Sequence, residues 1–461
     1  MYKHGVYIEE VSTNLRSPQK SATIPIVFGT APSYLTDYDN SKPILCNSFD
    51  EAVKKVGYSD DWETFSLCEF MKCHYHLYAL TPVIFINILD IKKHKVSKTA
   101  NVSLINKKAA IKENVIKESL VITGGEYTLG TDYLLNYNTS GYLEIVIPEE
   151  SKIEDNTIDI TYDIVDRSKL TVDEIVASIK RINTVFPQCS VIPSLMLAPG
   201  FSHMPPVAYA MLDNSHSING LFNAIIITDV PDTVYNYTDV GEWKKTNGFT
   251  GSNQIVCWPQ VKYRENTYHL STHIGSLLCS LDIESDNVPI LSPSNKSLCI
   301  DSAVTSKGEV NLGLPEANIL NSTGIVTAIN FIGGWKCWGN RPGAYSQNMS
   351  IDPKDAFITE KRMTYWLGTT LTKMFWGNID EPGNKRLIDT VLDNANLWLN
   401  SLKASGYILG GRVEFLAEEN SYDDLMDGNF KFHVYKASAT PARNIDFIIE
   451  YSTEFAKELF T

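Results

Sequence analysis

The sequence predicts an α/β core that carries an inserted all-β segment and ends in an α+β C-terminal region. Three observations predict it. Apolar strand-like runs alternate with helix-period stretches over much of the chain, which implies a largely parallel sheet. Between Lys92 and Ser168 the helical period disappears and short alternating runs replace it. Beyond Pro353, two long amphipathic stretches precede a group of alternating strands. With 461 residues, 43% of them hydrophobic and 20% charged, the chain can bury a core in several domains. Disordered, collagen-like and coiled-coil classes are excluded.

Gly5–Val11 (GVYIEEV) is β-prone but isolated, followed by the polar stretch Ser12–Thr23 and the strand-like run Ile24–Thr30. A strand without a sequential partner must find its hydrogen bonds elsewhere. Asp60–Ala79 reads as a helix entered through an Asp pair and stopped before Pro82, which leads into the buried-strand run VIFINIL. In the alternating region the strand candidates are Ser119–Thr123, Tyr142–Ile147 and Thr157–Ile164. Thr171 with Glu174 forms a capping box ahead of an apolar stripe running to Val185. Strand Val191–Leu197, helix Val207–Asn219, strand Ala224–Val230, helix His269–Leu281 and strand Ile325–Ile332 continue the α/β pattern. Asp352-Pro353 opens a helix to about Trp376, and a second runs from Asn384 to Ser405 with Gly406 as its stop. Strands Arg412–Ala417, Asn429–Lys436 and Asn444–Ser452 follow, then a short amphipathic piece, Glu454–Phe460.

The net charge of −14 argues against broad binding to a phosphate backbone. No apolar run reaches the roughly 18 residues of a membrane span, the N-terminus lacks a secretion signal core, and eight scattered Cys imply reduced thiols in a cytoplasmic folding compartment. Chemistry-bearing motifs fail one by one. There is no GxxxxGK[ST] and no GxGxxG, and Gly333–Gly339 (GGWKCWG) has bulky residues where a phosphate would approach; it reads as a turn beside a packed Trp pair. Cys68, Cys73, His74 and His76 would splay around one helix, so they read as core Cys and surface His rather than zinc ligands. His269 and His273 share helical spacing but lack the HExxH glutamate. Ser202-His203 are adjacent and so do not make a triad. No catalytic, metal or cofactor-binding residue is expected.

Several stretches, in order along nearly the whole chain, resemble the contractile tail sheath family of bacteriophages and phage-tail-like particles. GVYIEEV with IPIVFGTAP resembles the family's opening, and EYTLGTDYLLNY (Glu126–Tyr137) its inserted β-domain. LMLAPGFS (Leu195–Ser202), CWPQVKY, LSPSNKSL (Leu291–Leu298) and CWGNRP (Cys337–Pro342) are similar to later landmarks. LNSLKASGYILGGRV (Leu399–Val413) and LMDGNFKFHVYKASATPARNIDFIIEY resemble the C-terminal sheath domain. Arg443 stands where an acidic residue is usual, and Pro342 where Thr is commoner.

The resemblance implies a subtilisin-like, non-catalytic core. It divides the chain into an arm (1–22), a core in two parts (23–91 and 169–345), an inserted β-sandwich-like domain (92–168) and a sheath domain (346–461). It implies a non-enzymatic subunit that polymerises as stacked rings, six-fold and helical, around an inner tail tube. Contraction would drive the tube through a target envelope for genome delivery. Gly5, Val6, Tyr7, Ile8, Glu9, Glu10 and Val11 would form the donated strand. Arg412, Val413, Phe415, Phe430, Phe432, Val434, Ile445, Phe447 and Ile449 would form the intersubunit sheet. Lys385, Arg386 and Lys457 would face an acidic tube. Glu418–Gly428, with five acids, reads as a solvated loop or as a charged subunit contact. Expected partners are further copies, the tube, baseplate and terminator proteins, with no direct nucleic acid, no membrane insertion and no cofactor. The expected location is a virion tail assembled in the bacterial cytoplasm. The sheath of a headless bacteriocin-like or secretion particle is the alternative. A non-contractile structural subunit or an α/β enzyme remains a minor one, to be discriminated by the absence of a tube or the presence of an ordered triad.

Overall fold

Five apolar runs have no exposed face, and they form the centre of one large sheet. The computed structural model describes residues 19–20, 22–138, 141–452 and 454–457. Strands β1 (Pro25–Gly29), β2 (Ile44–Cys46), β3 (Val83–Asn87), β4 (Leu195–Leu197), β5 (Ile225–Asp229), β6 (Gln254–Cys257), β7 (Ile325–Phe331) and β8 (Gly334–Trp338) pair in the order β8-β7-β6-β5-β4-β1-β3-β2. The six central strands are parallel; β2 and β8 add antiparallel edges. Every residue of β1, β3, β4, β5 and β6 is buried, as expected when helices cover both faces. Two apolar clusters lie on the two faces, one around Val27, Phe85 and Leu278, the other around Phe28, Ile84 and Ile179.

Residues 95–165 hold two three-stranded antiparallel sheets. Lys95–Ser103, Thr157–Val165 and Val121–Thr123 make one; Lys108–Ile111, Leu143–Val146 and Leu134–Tyr137 make the other. Alternate residues such as Ile145, Ile158 and Ile160 fill the core they share. A four-stranded antiparallel sheet of Asn266–Tyr268, Gln260–Tyr263, Ser302–Thr305 and Gly308–Glu309 was not anticipated from the sequence.

The helices correct several boundaries. The expected Asp60 helix starts later, as α1 (Ser66–Met71), and continues as a π-helix over Lys72–Leu77. Asp61 caps no helix there: its carboxylate accepts from the Thr64 N–H at 3.1 Å and from Asn114 at 2.9 Å, closing a turn. The Thr171/Glu174 capping box is formed and starts α2 (Val172–Ile179), which tightens to a 3-10 helix at Lys180–Thr184. The strand expected from Val191 begins only at Leu195, because Pro193 cannot donate to the ladder. Next come α3 (Pro205–Asn214), α4 (Leu270–Glu284) and α5 (Ile358–Phe375). Asp352-Pro353 opens only a 3-10 turn, Pro353–Asp355, ahead of α5.

The chain divides into two compact units, Met1–Glu381 and Pro382–Thr461. The second contains α6 (Lys385–Ala404) and the antiparallel pair β9 (Gly410–Glu414) and β10 (His433–Ala437).

Candidate functional site

In an open, mostly parallel sheet the crevice beyond the strands' carboxyl ends is where ligands bind. Here the chain's own side chains fill it. Asp229, at the end of β5, is fully enclosed and accepts from the Ser271 N–H (3.0 Å), the Ser271 hydroxyl (2.5 Å) and the Ser202 hydroxyl (3.0 Å). Burial pushes its pKa up despite the charge of His269 and these donors. Glu69 on α1 accepts from the His269 N–H, faces His269 Nδ1 at 2.8 Å, and accepts from the Thr272 hydroxyl. Burial alone would lower the His269 pKa; the adjacent Glu69 carboxylate overrides it and raises it to about 9. Arg167 donates to the carbonyls of Glu63 and Gly200. Ser202 therefore points at a carboxylate, with no histidine to take its proton.

The other candidate ligands are placed differently from the sequence expectation. His74 is not on the surface. It is fully buried, stacked on Phe70, and its Nδ1 lies 3.1 Å from the Ser276 hydroxyl. Burial pushes its pKa down to about 3, and that of His273, bonded to the Tyr78 hydroxyl, equally far. Burial raises the Cys68 thiol to about 12 and the Cys73 thiol as well. Among the described residues, no three His, Cys, Asp or Glu side chains converge to hold a metal. Gly333 and Gly334, both at positive φ, turn the β7–β8 hairpin. Trp335 and Trp338 lie three apart on β8, hence on opposite faces, and do not pair; they donate to the Asp301 carbonyl and to Asn318 respectively.

The second unit joins a short sheet to a run of exposed apolar residues. Asn384 caps α6 by accepting from the Leu387 N–H, and Val391, Ala395, Leu399 and Leu402 form its buried stripe. Val413 of β9 is buried, and Asn396 of α6 holds both its N–H (2.8 Å) and its C=O (3.0 Å). Val413 therefore turns its backbone away from β10, and the centre of the β9 edge is covered. By the alternation of an antiparallel ladder, Val434, directly opposite Val413, turns its own N–H and C=O outward on the β10 edge. No partner for them occurs among the described residues. Phe415 and Phe432 pack at 5.3 Å just outside the two strands, with Phe430 beside them, so the predicted Asn429 strand start moves to His433.

Asn444–Ser452, expected as a third strand, has no regular structure within the chain. Its apolar side chains are almost wholly solvent-exposed: Ile445 67%, Phe447 87%, Ile448 96%, Ile449 93% and Tyr451 85%. A strand exists only against a partner backbone, and the described residues supply none there. The acidic run Glu418–Gly428 is not a simple loop. It folds into a 3-10 turn (Ala417–Glu419) and a short helix (Tyr422–Met426), with Glu419 on His433 at 2.7 Å and Asp424 on Lys431 at 3.4 Å. Lys385 and Arg386 are exposed in the first turn of α6, where the helix dipole disfavours cations. Lys457 ends the short helix Glu454–Lys457. The donor segment Gly5–Val11 lies outside the described residues.

The chain is 22% identical over 491 aligned positions to the tail sheath protein of Burkholderia phage BcepMu, covering 98% of both chains. A shorter stretch, 146 positions at 25% identity, matches the tail sheath protein of Escherichia phage P2 over 32% of this chain and 35% of that one. Over its whole length this chain is thus similar to a phage tail sheath protein. No protein-family model matches it. The fold agrees: a chain of an extracellular contractile injection system, the PVC sheath complex in its contracted state, superposes with a TM-score of 0.60 over 99% of both chains at 14% identity. A chain of the anti-feeding prophage (AFP) baseplate gives the same score over 97% of this chain and 98% of that one. The relatives it matches are tail sheath proteins, and the solved chains that share its fold come from contractile particles. The filled crevice is consistent with a structural role. Sequence reading missed the Asn396 grip on Val413; an Asn amid the apolar stripe of α6 was the available signal.

Proposed function

We propose that this chain is a non-enzymatic contractile tail sheath subunit that polymerises by strand addition into the β9–β10 sheet. Gly5–Val11 of one neighbour and the Asn444–Ser452 segment of another supply the added strands. The observation that carries this reading is the pairing of an open β10 edge at Val434 with an exposed apolar segment, Ile445–Tyr451, in the same unit. Such an interface is heterologous, repeats without closing, and builds a helical tube of stacked six-fold rings. Arg412, Val413 and Val434 would lie in the shared sheet, Phe415, Phe430 and Phe432 at its border, and Ile445, Phe447 and Ile449 in the added strand. The core is read as a non-catalytic relative of the subtilisin-like fold, with the arm, inserted domain and C-terminal sheath domain divided as expected above.

The tube would surround an inner tail tube, met by Lys385, Arg386 and Lys457, and end at baseplate and terminator proteins. Contraction would repack subunits that the donated strands keep connected, with no nucleotide consumed. Delivery of a phage genome is the first reading. A headless injection particle is the second, favoured by the match to a PVC sheath over the full chain. Electron microscopy of a chain lacking Met1–Ser12 tests strand addition: folded monomers without long tubes are expected, and normal-length tubes would refute it. Negative staining of source particles, looking for a filled head, separates the two readings.

A further inference from the structure

Asp282, in the last turn of α4, has no exposed surface, yet two polar side chains from distant parts of the chain, Thr23 and Arg362, converge on it. Arg362 of α5 grips its carboxylate with both guanidinium nitrogens, at 3.1 and 2.5 Å, and is itself buried. The Thr23 hydroxyl donates to the same carboxylate. Immediately beside it, the Ala22 N–H donates to Asn287 at 2.9 Å, and the Asn287 N–H returns to the Asp282 carbonyl. Ala22–Thr23 is the root of the N-terminal arm. Arg362 lies on the helix that leads, through Trp376–Asn378, to the second unit at Pro382. The first unit thus binds its two exits to one buried side chain, although they are separated by most of its sequence.

We propose that Asp282 is a mechanical clasp. Tension that enters a subunit through its arm and leaves through its C-terminal unit first loads the two-residue pairing of Gln19–Lys20 with Leu80–Thr81, and beyond it crosses Thr23, Asp282 and Arg362. The inference rests on the strand-addition reading, which makes those two exits the points where load enters and leaves. A bidentate guanidinium–carboxylate contact, shielded from water, suits the task because it is strong, directional and unscreened by salt.

The test pulls the full-length monomer in an optical trap, once from its termini and once from attachment points at exposed Gly220 and Lys307. Thr23→Val removes only the arm's bond and leaves the ion pair intact, so it is the variant least exposed to misfolding; Arg362→Lys keeps the charge but loses the fork. Under terminal load, Thr23→Val should shorten the folded lifetime about tenfold, as expected for loss of one hydrogen bond to a charged group. Along the second axis the lifetime should change less than about twofold. Contracted sheaths of the variant should break more often than wild type. Equal shortening along both axes means a general stability effect and overturns the clasp, as does no shortening under terminal load. The arm-deletion experiment is separate: long tubes from the truncated chain would refute strand addition while the pulling result still decides the clasp.

Discussion

The two units use similar side chains to opposite ends. In the first, Ile84, Phe85 and Ile86 of β3 are fully buried because its parallel neighbour β1, its antiparallel neighbour β2 and the covering helices come from the same chain. In the second, Ile445, Phe447 and Ile449 are as apolar and as β-prone, but stand in water, next to a sheet of only two strands. Local sequence does not distinguish them. What differs is whether the chain itself supplies the rest of the sheet. A two-stranded sheet is marginal alone and gains from each added strand, which is why strand addition from other copies is the proposal for the second unit.

That contrast can be broken experimentally. Replacing Ile445, Phe447 and Ile449 together with Ser should abolish tube formation while leaving monomer stability within about 0.5 kcal/mol, since these side chains are exposed. Sedimentation and monomer denaturation would check the two halves of that statement, and a destabilised monomer would place the segment inside the subunit's own fold. The converse is Phe28→Ala in β1, fully buried, which should cost about 3–5 kcal/mol in the monomer by denaturant titration.

The ionised pair in the first unit gives a smaller effect with a defined pH window. His269 is raised from 6.5 to about 9 by Glu69, against burial. A folded pKa above the unfolded one contributes stability that is complete below about pH 6.5 and is lost as pH rises through about 9. Wild type should lose about 2–3 kcal/mol over that range, and His269→Gln much less. In the second unit, Asn396→Ala should cost about 1–3 kcal/mol by leaving the Val413 backbone groups unpaired. It should also promote irregular aggregation through the uncovered β9 edge, read by light scattering. The smallest effect per site is expected from charge reversal at Lys385, Arg386 and Lys457. Each exposed contact is worth roughly 0–1 kcal/mol, so weaker co-assembly on purified tubes should appear at low salt only. Unchanged assembly across the salt titration would remove these residues as tube contacts.

Much of the regular structure of both units could be read from residue order. The apolar runs at Pro25–Gly29, Val83–Asn87 and Ile225–Asp229, the Thr171/Glu174 box and the 20-residue helix from Lys385 each carry their signal within a few turns of chain. The misplacements share a cause. Asp61 was taken by its position for a helix cap but bonds Asn114, 53 residues away. His74 lies in a polar-looking CHYH run yet is packed against α4 through Ser276.

By itself, the sequence determined the α/β alternation, the inserted β-rich stretch, the C-terminal helix and strands, and the family resemblance, because these depend on periodicity and local motifs. Only the tertiary structure decided which polar groups are sealed inside and which apolar ones stay outside. Ser202 and His269 carry groups capable of chemistry in one dimension, but folding turns each toward a carboxylate, Asp229 and Glu69 respectively. Asn444–Ser452 looks like an ordinary strand, but it has no partner backbone among the described residues. Pairing between residues far apart in sequence has no local signal, and hydrogen bonds and burial are properties of pairs.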